Sequence, residues 1–121
     1  VIIIDKDGRT AAFTGRGTVD WKGHIIGKDY VVAGNVLVAS RVSEAMAKTF
    51  EGSEGDLAER LMKALEAGQD AGGDKRGRMS AALLVATGKP SGTSLLKLTV
   101  DQHPDPVREL RRIFEAHRGQ E

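Results

Sequence analysis

Hydrophobic and polar positions in this chain first follow an extended pattern, then helical spacing, then alternation again. Val1-Ile-Ile-Ile4 is an unbroken β-branched run, which predicts a buried strand. Asp5-Lys-Asp-Gly8 follows, and its Asp-Gly pair predicts a hairpin into a second strand over 9–14. Gly15-Arg-Gly17 breaks that strand. Residues 18–26, with Trp21 and His24 around Gly23, read as a turn-rich piece, and 30–33 is extended again. That stretch ends at Gly34-Asn35, with 36–39 continuing. The period then changes. Val42, Met46 and Phe50 at i, i+4, i+8 predict a helix over 41–51, capped by Ser40 and stopped by Gly52. Asp56 with Glu59 forms a capping-box-like start to a second helix, whose apolar stripe is Leu57, Leu61 and Leu65. Gly68 or Gly72 is its expected C-cap. An apolar strand over 80–87, a turn at Lys89-Pro-Ser-Gly92 and an alternating strand over 95–100 come next. Asp105-Pro106 opens the last helix, with proline in its permitted first turn and Val107, Leu110 and Phe114 facing inward. Arg111, Arg112, His117 and Arg118 crowd its C-terminal half, where cations suit the helix dipole. The element order predicts an α+β fold, helices layered on a mainly antiparallel sheet.

Composition narrows the picture. At 121 residues the chain is a single domain, 1–121, and with 4% aromatics its core must come mainly from Val, Ile, Leu and Ala. Eighteen basic against 17 acidic residues give a net charge of +1, which argues against nucleic acid or an anionic membrane as main partner. There is no cysteine, so disulfides, thiolate metal sites and a cysteine nucleophile within this chain are excluded. No apolar run reaches membrane-spanning length, and the cytoplasm is the default address. The apolar opening strand suggests a chain that starts inside a larger arrangement.

The segment richest in candidate chemistry is the loop 71–80, between the second helix and an apolar strand. It sets Asp74, Lys75, Arg76 and Arg78 among Gly72, Gly73 and Gly77, so charged groups are paired with close backbone approach. It reads either as a solvated turn after a helix cap or as a ligand-facing loop. Arg76 suits an anion clamp, because a guanidinium grips a carboxylate with two parallel hydrogen bonds. Asn35, after Gly34 at a strand break, either aims an amide N–H at a developing oxyanion or is a turn residue. His24 beside Trp21 is a site residue or a packed loop residue. His103, between Asp101 and Asp105, suggests a metal site only weakly, since Asp105 is explained as an N-cap. Asp5, Asp7 and Gly8 do not make a calcium loop, because the first and twelfth ligand positions fall on Ile3 and Thr14. Nucleophile-elbow, P-loop and dinucleotide motifs are absent, and no metal or cofactor is expected.

Taken together, these residues resemble an uncharacterised bacterial and archaeal family, the domain of unknown function ten twenty-eight, grouped with the N-terminal-nucleophile hydrolases. The matching pieces include Gly8-Arg-Thr-Ala-Ala-Phe-Thr-Gly15, Trp21-Lys-Gly-His24, Val32-Ala-Gly-Asn-Val-Leu37 and Val100-Asp-Gln-His-Pro-Asp-Pro-Val107. The most specific is Ala67-Gly-Gln-Asp-Ala-Gly-Gly-Asp-Lys-Arg-Gly-Arg78. The resemblance implies an αββα sandwich and amide hydrolysis by a newly exposed N-terminal Thr, Ser or Cys whose α-amino group is the base. It implies Asn35 with Gly34 at the oxyanion, Gly73, Asp74, Arg76 and His24 toward a small-molecule amide, and Ser80 at the base of the site. The chain matches the C-terminal part of the family pattern, and Val1 cannot attack a carbonyl. The nucleophile is therefore expected on a missing N-terminal segment or a second chain, and this chain alone is expected to be inactive. Gly17-Thr18 and Gly92-Thr93 have the chemistry for autoproteolysis but read as ordinary turn-to-strand junctions. The other reading is a non-catalytic half-domain that completes its sandwich as a homo-oligomer and serves binding or assembly.

Overall fold

A computed structural model of the chain describes residues 1–86 and 95–119. Its extended stretches form three antiparallel pairs. Strand β1 (Ile2–Ile4) pairs with β2 (Thr10–Ala12), with Ile2 opposite Ala12 and Ile4 opposite Thr10. The Asp5 carboxylate holds the intervening turn by accepting from the N–H groups of Asp7 and Arg9, both at 2.9 Å. The hairpin is as the Asp-Gly pair predicts, but its strand is not buried: Ile2, Ile3 and Ile4 are 47%, 61% and 55% exposed. β-Branched residues favour extended backbone whether or not a layer covers them, so an apolar run marks a strand more surely than a core.

Strand β3 (Gly23–Gly27) begins inside the stretch read as turn-rich and pairs with β4 (Tyr30–Gly34), from Gly27 opposite Tyr30 to Gly23 opposite Gly34. The glycines at its ends read as punctuation and concealed it. Strand β5 (Ala81–Ala86) pairs with β6 (Leu95–Val100), from Ala81 opposite Val100 to Ala86 opposite Leu95. Leu83 and Val100 point inward while Leu84, Lys97 and Thr99 face solvent, the period of a sheet covered on one face. The turn at Lys89-Pro-Ser-Gly92 and the Gly92-Thr93 bond fall outside the described residues.

Three helices cover these strands: α1 (Arg41–Gly52), α2 (Leu57–Asp70) and α3 (Pro106–Arg118). Met62, Leu110 and Phe114 are fully buried and, with Ala58, Leu83 and Val100, make the core between α2, α3 and the β5–β6 pair. The inward face of α3 is the predicted one. That of α2 agrees in part: Leu61 and Leu65 pack against the core, but Leu57 is 49% exposed, and Ala58, Met62 and Ala64 are the buried positions. Helix α2 also packs on α1, where a Cβ on the buried Gly68 would come within 2.8 Å of the Met46 side chain. Gly68 is thus a packing residue and not the helix cap.

Two predicted caps behave differently from a third. Asp56 accepts from the Glu59 N–H at 3.0 Å, as expected. Ser40 makes no side-chain cap bond, and neither does Asp105. The Asp105 carboxylate instead meets Arg78 at 3.2 Å, while its N–H donates to His103 Nδ1 at 2.9 Å. His103 therefore has a structural partner in the turn before α3. Among the described residues no three His, Asp or Glu side chains gather as metal ligands, and no helix is long and apolar enough to cross a membrane.

Candidate functional site

Helix α2 ends by a specific device. Gly73 N–H donates to Gly68 O at 3.1 Å and Gly72 N–H to Gln69 O at 3.1 Å, the paired bonds of a Schellman motif with Gly72 at C′. Gly72 has φ +125°, a conformation glycine alone adopts readily. The chain leaves the helix turned toward residues 36–38. There Gly73 O accepts from Val38 N–H at 3.0 Å, Lys75 N–H donates to Val36 O at 2.7 Å, and Leu37 and Asp74 form an antiparallel bridge. The other edge of residues 36–38 is bonded too: Trp21 and Leu37 exchange both backbone bonds at 3.1 Å, and Val36 N–H donates to Val19 O. The loop 71–80 is thus stitched at its start to a segment itself held on both sides.

Asp74 organises the middle of the loop. Its carboxylate accepts from the Arg76 N–H at 2.7 Å, from Nε at 2.9 Å and from Nη2 at 2.6 Å. This grip holds the Asp74 carboxyl below the ordinary carboxylate value and raises the Arg76 guanidinium, so both stay charged. Arg76 remains largely exposed, with its Nη1 edge outside that pairing. Lys75 points elsewhere, its Nζ donating to Asp20 O at 2.7 Å.

Beneath the loop lies a cavity of about 400 Å³. Leu37, Val42, Met46, Leu65 and Val107 supply its apolar wall, and Gly73, Asp74, Arg76 and Ser80 lie on its lining. Its size falls in the ordinary range for small-molecule pockets, roughly 300–1,000 Å³, and most of its polar groups sit on one loop. Four of the site residues expected from sequence are therefore brought together. Gly34, Asn35 and His24 do not line this cavity. Gly34 lies against the Leu37 side chain, Asn35 is exposed just beyond β4, and His24 sits on β3 with Nδ1 2.7 Å from Thr14 Oγ1. That hydroxyl and imidazole are within the reach needed for proton transfer, though neither lines this cavity.

Two polar residues of the cavity had no expected role: Gln69 and Arg78. Gln69 lies within the Ala67–Arg78 motif, and its helical position one turn before the loop is the signal that places it there. The apolar wall carried no signal, since residues 37, 42, 46 and 107 converge only in three dimensions.

Known proteins agree with this architecture. Residues 1–110 match the model of a family described as "Family of unknown function (DUF1028)". Among solved structures, the chain is similar to the crystal structure of protein SPO2555 from Silicibacter pomeroyi, described with the same family. The two share 32% sequence identity at a TM-score of 0.83, over 93% of this chain and 47% of that one. This chain thus spans about half the length of that relative. No curated protein matches.

Proposed function

Since the chain belongs to DUF1028, a family of unknown function, we propose that it forms the substrate-binding part of an N-terminal-nucleophile amide hydrolase with an αββα sandwich. The observation that carries the reading is the loop of Gly73, Asp74, Arg76 and Ser80 set over an apolar cavity. A small-molecule amide seats its aliphatic part on Leu37, Val42 and Met46, and its anionic part meets the free edge of Arg76. The nucleophile belongs to an N-terminal segment or second chain beginning with Thr, Ser or Cys. Its side chain attacks the amide carbon while its α-amino group takes the proton and returns it to the leaving amine. The C–N bond breaks, an acyl-enzyme remains, and water hydrolyses it to the carboxylic acid. Asn35, beside Gly34, serves as the oxyanion donor when that segment is in place, with His24 on the same hairpin. The enzyme works in the cytoplasm, without metal or cofactor.

Denaturing mass analysis of the full-length native protein tests this. A mature polypeptide beginning with Thr, Ser or Cys, and loss of amide hydrolysis when that residue becomes Ala, are expected. A particle with no such terminus contradicts the reading. One observation favours the alternative, a half-domain that self-associates for binding or assembly: β1 exposes three isoleucines on a strand pair. A native mass at multiples of a single chain, without hydrolysis, would establish it.

A further inference from the structure

A second basin, of about 440 Å³, lies between α2, α3 and the loop, and its chemistry differs from that of the first. Six charged side chains line it: Glu66, Asp70, Arg78, Asp105, Arg108 and Arg111. Four are already paired across the basin wall, Arg78 with Asp105 at 3.2 Å and Arg111 with Glu66. Arg111 is held further by Glu59 at 2.7 Å and Glu115 at 2.8 Å, so it is committed to bracing α2 against α3. Asp70 and Arg108 are left without an ion-pair partner among the described residues, one anion and one cation. The basin adjoins the apolar cavity, since Gln69, Arg78 and Val107 line both.

A ligand fitting both spaces carries one negative group, one positive group and an apolar body. We infer that these two adjoining cavities together bind an aliphatic α-amino acid. Its carboxylate meets the guanidinium fork of Arg108 and its ammonium meets Asp70, while its side chain lies on Val107 and Met46. The Gln69 carboxamide, in the shared wall, supplies a further donor and acceptor beside the charged end. A zwitterion can meet both Asp70 and Arg108, whereas a singly charged molecule meets only one of them. The site shares the Met46 wall with the cavity proposed for the amide substrate, but its test needs no nucleophile and no turnover.

Isothermal titration of the full-length protein with L-leucine, 3-methylbutylamine and 4-methylpentanoate tests it without any turnover. The two analogues each lack one of leucine's charges. Leucine is expected to bind more tightly than either by about tenfold, the loss typical of one charged hydrogen bond. Arg108→Gln should abolish leucine's advantage over the amine, and Asp70→Asn its advantage over the acid. Both side chains are exposed, so thermal melts should stay at wild-type values and confirm folding. No leucine binding at millimolar concentration, equal binding of all three compounds, or leucine binding unchanged in both variants would overturn the assignment.

Discussion

Asp74 sets where Arg76 can be. With three bonds from one arginine on its carboxylate, the side chain is pinned on the loop and not free in solvent. Because the folded pKa of Asp74 lies below its ordinary 3.8, its contribution is fully present above that value and is lost as pH falls through the folded pKa. Loop order, read from the Arg76 Nε resonance, should hold from pH 7 to 5 and fail only once the pH has fallen below 3.8. Asp74→Asn should lose most of that order at neutral pH, and a resonance unchanged in that variant would contradict the pinning. Gly72 is the second residue on which the loop depends. A Cβ there would lie 2.4 Å from Val38 Cγ2 at φ +125°. Gly72→Ala should therefore destabilise the protein by about 1–3 kcal/mol in denaturant unfolding. Gly52→Ala, which meets nothing within 4 Å, should change it little.

Among the helices and strands, stability is concentrated where α3 crosses α2 and the β5–β6 pair. Phe114 is fully buried there and also lies under Arg118 at 4.6 Å, so Phe114→Ala should cost about 3–5 kcal/mol. Leu57→Ala, exposed on the same layer's rim, should cost far less, and equal costs would mean that α2 is turned the other way. The two helices differ in how far spacing alone reveals their buried face. In α3, Val107, Leu110 and Phe114 are the most buried of the apolar positions, with Ile113 packed beside them, and the spacing identifies them. In α2, Gly68 makes the close contact with Met46 of α1, and Ala58, Met62 and Ala64 are buried more fully than Leu61 and Leu65, a choice made by the neighbouring elements. Strand β3 was hidden for a related reason. Its glycines make room for the rings of Trp21 and Tyr30, contacts that no local pattern announces. A second aromatic cluster was equally silent. Tyr30 packs on Phe50 at 5.3 Å and bonds to Glu51, which pushes the phenol up to about 12.

For the molecule as a whole, the loop was legible and the cavity was not. A run of glycine and charge between helix and strand marks a place where backbone and ligand approach, and Gly73, Asp74, Arg76 and Ser80 do lie on one lining. The wall below them comes from α1, α2, α3 and residues 36–38, whose convergence depends on the whole fold. The isoleucines of β1 teach the opposite lesson, since their apolar run is extended as expected yet faces solvent. The proposal that this loop binds the substrate of an amide hydrolase can be put to one assay. Amide hydrolysis by the full-length protein is followed over a panel of N-acyl amides, wild type against Arg76→Ala. A measurable amidase is expected, with kcat/KM falling at least about tenfold in the variant at an unchanged melting temperature, the cost of one lost charged contact. Hydrolysis at the wild-type rate in Arg76→Ala, or no hydrolysis of any amide by the wild type, would contradict it.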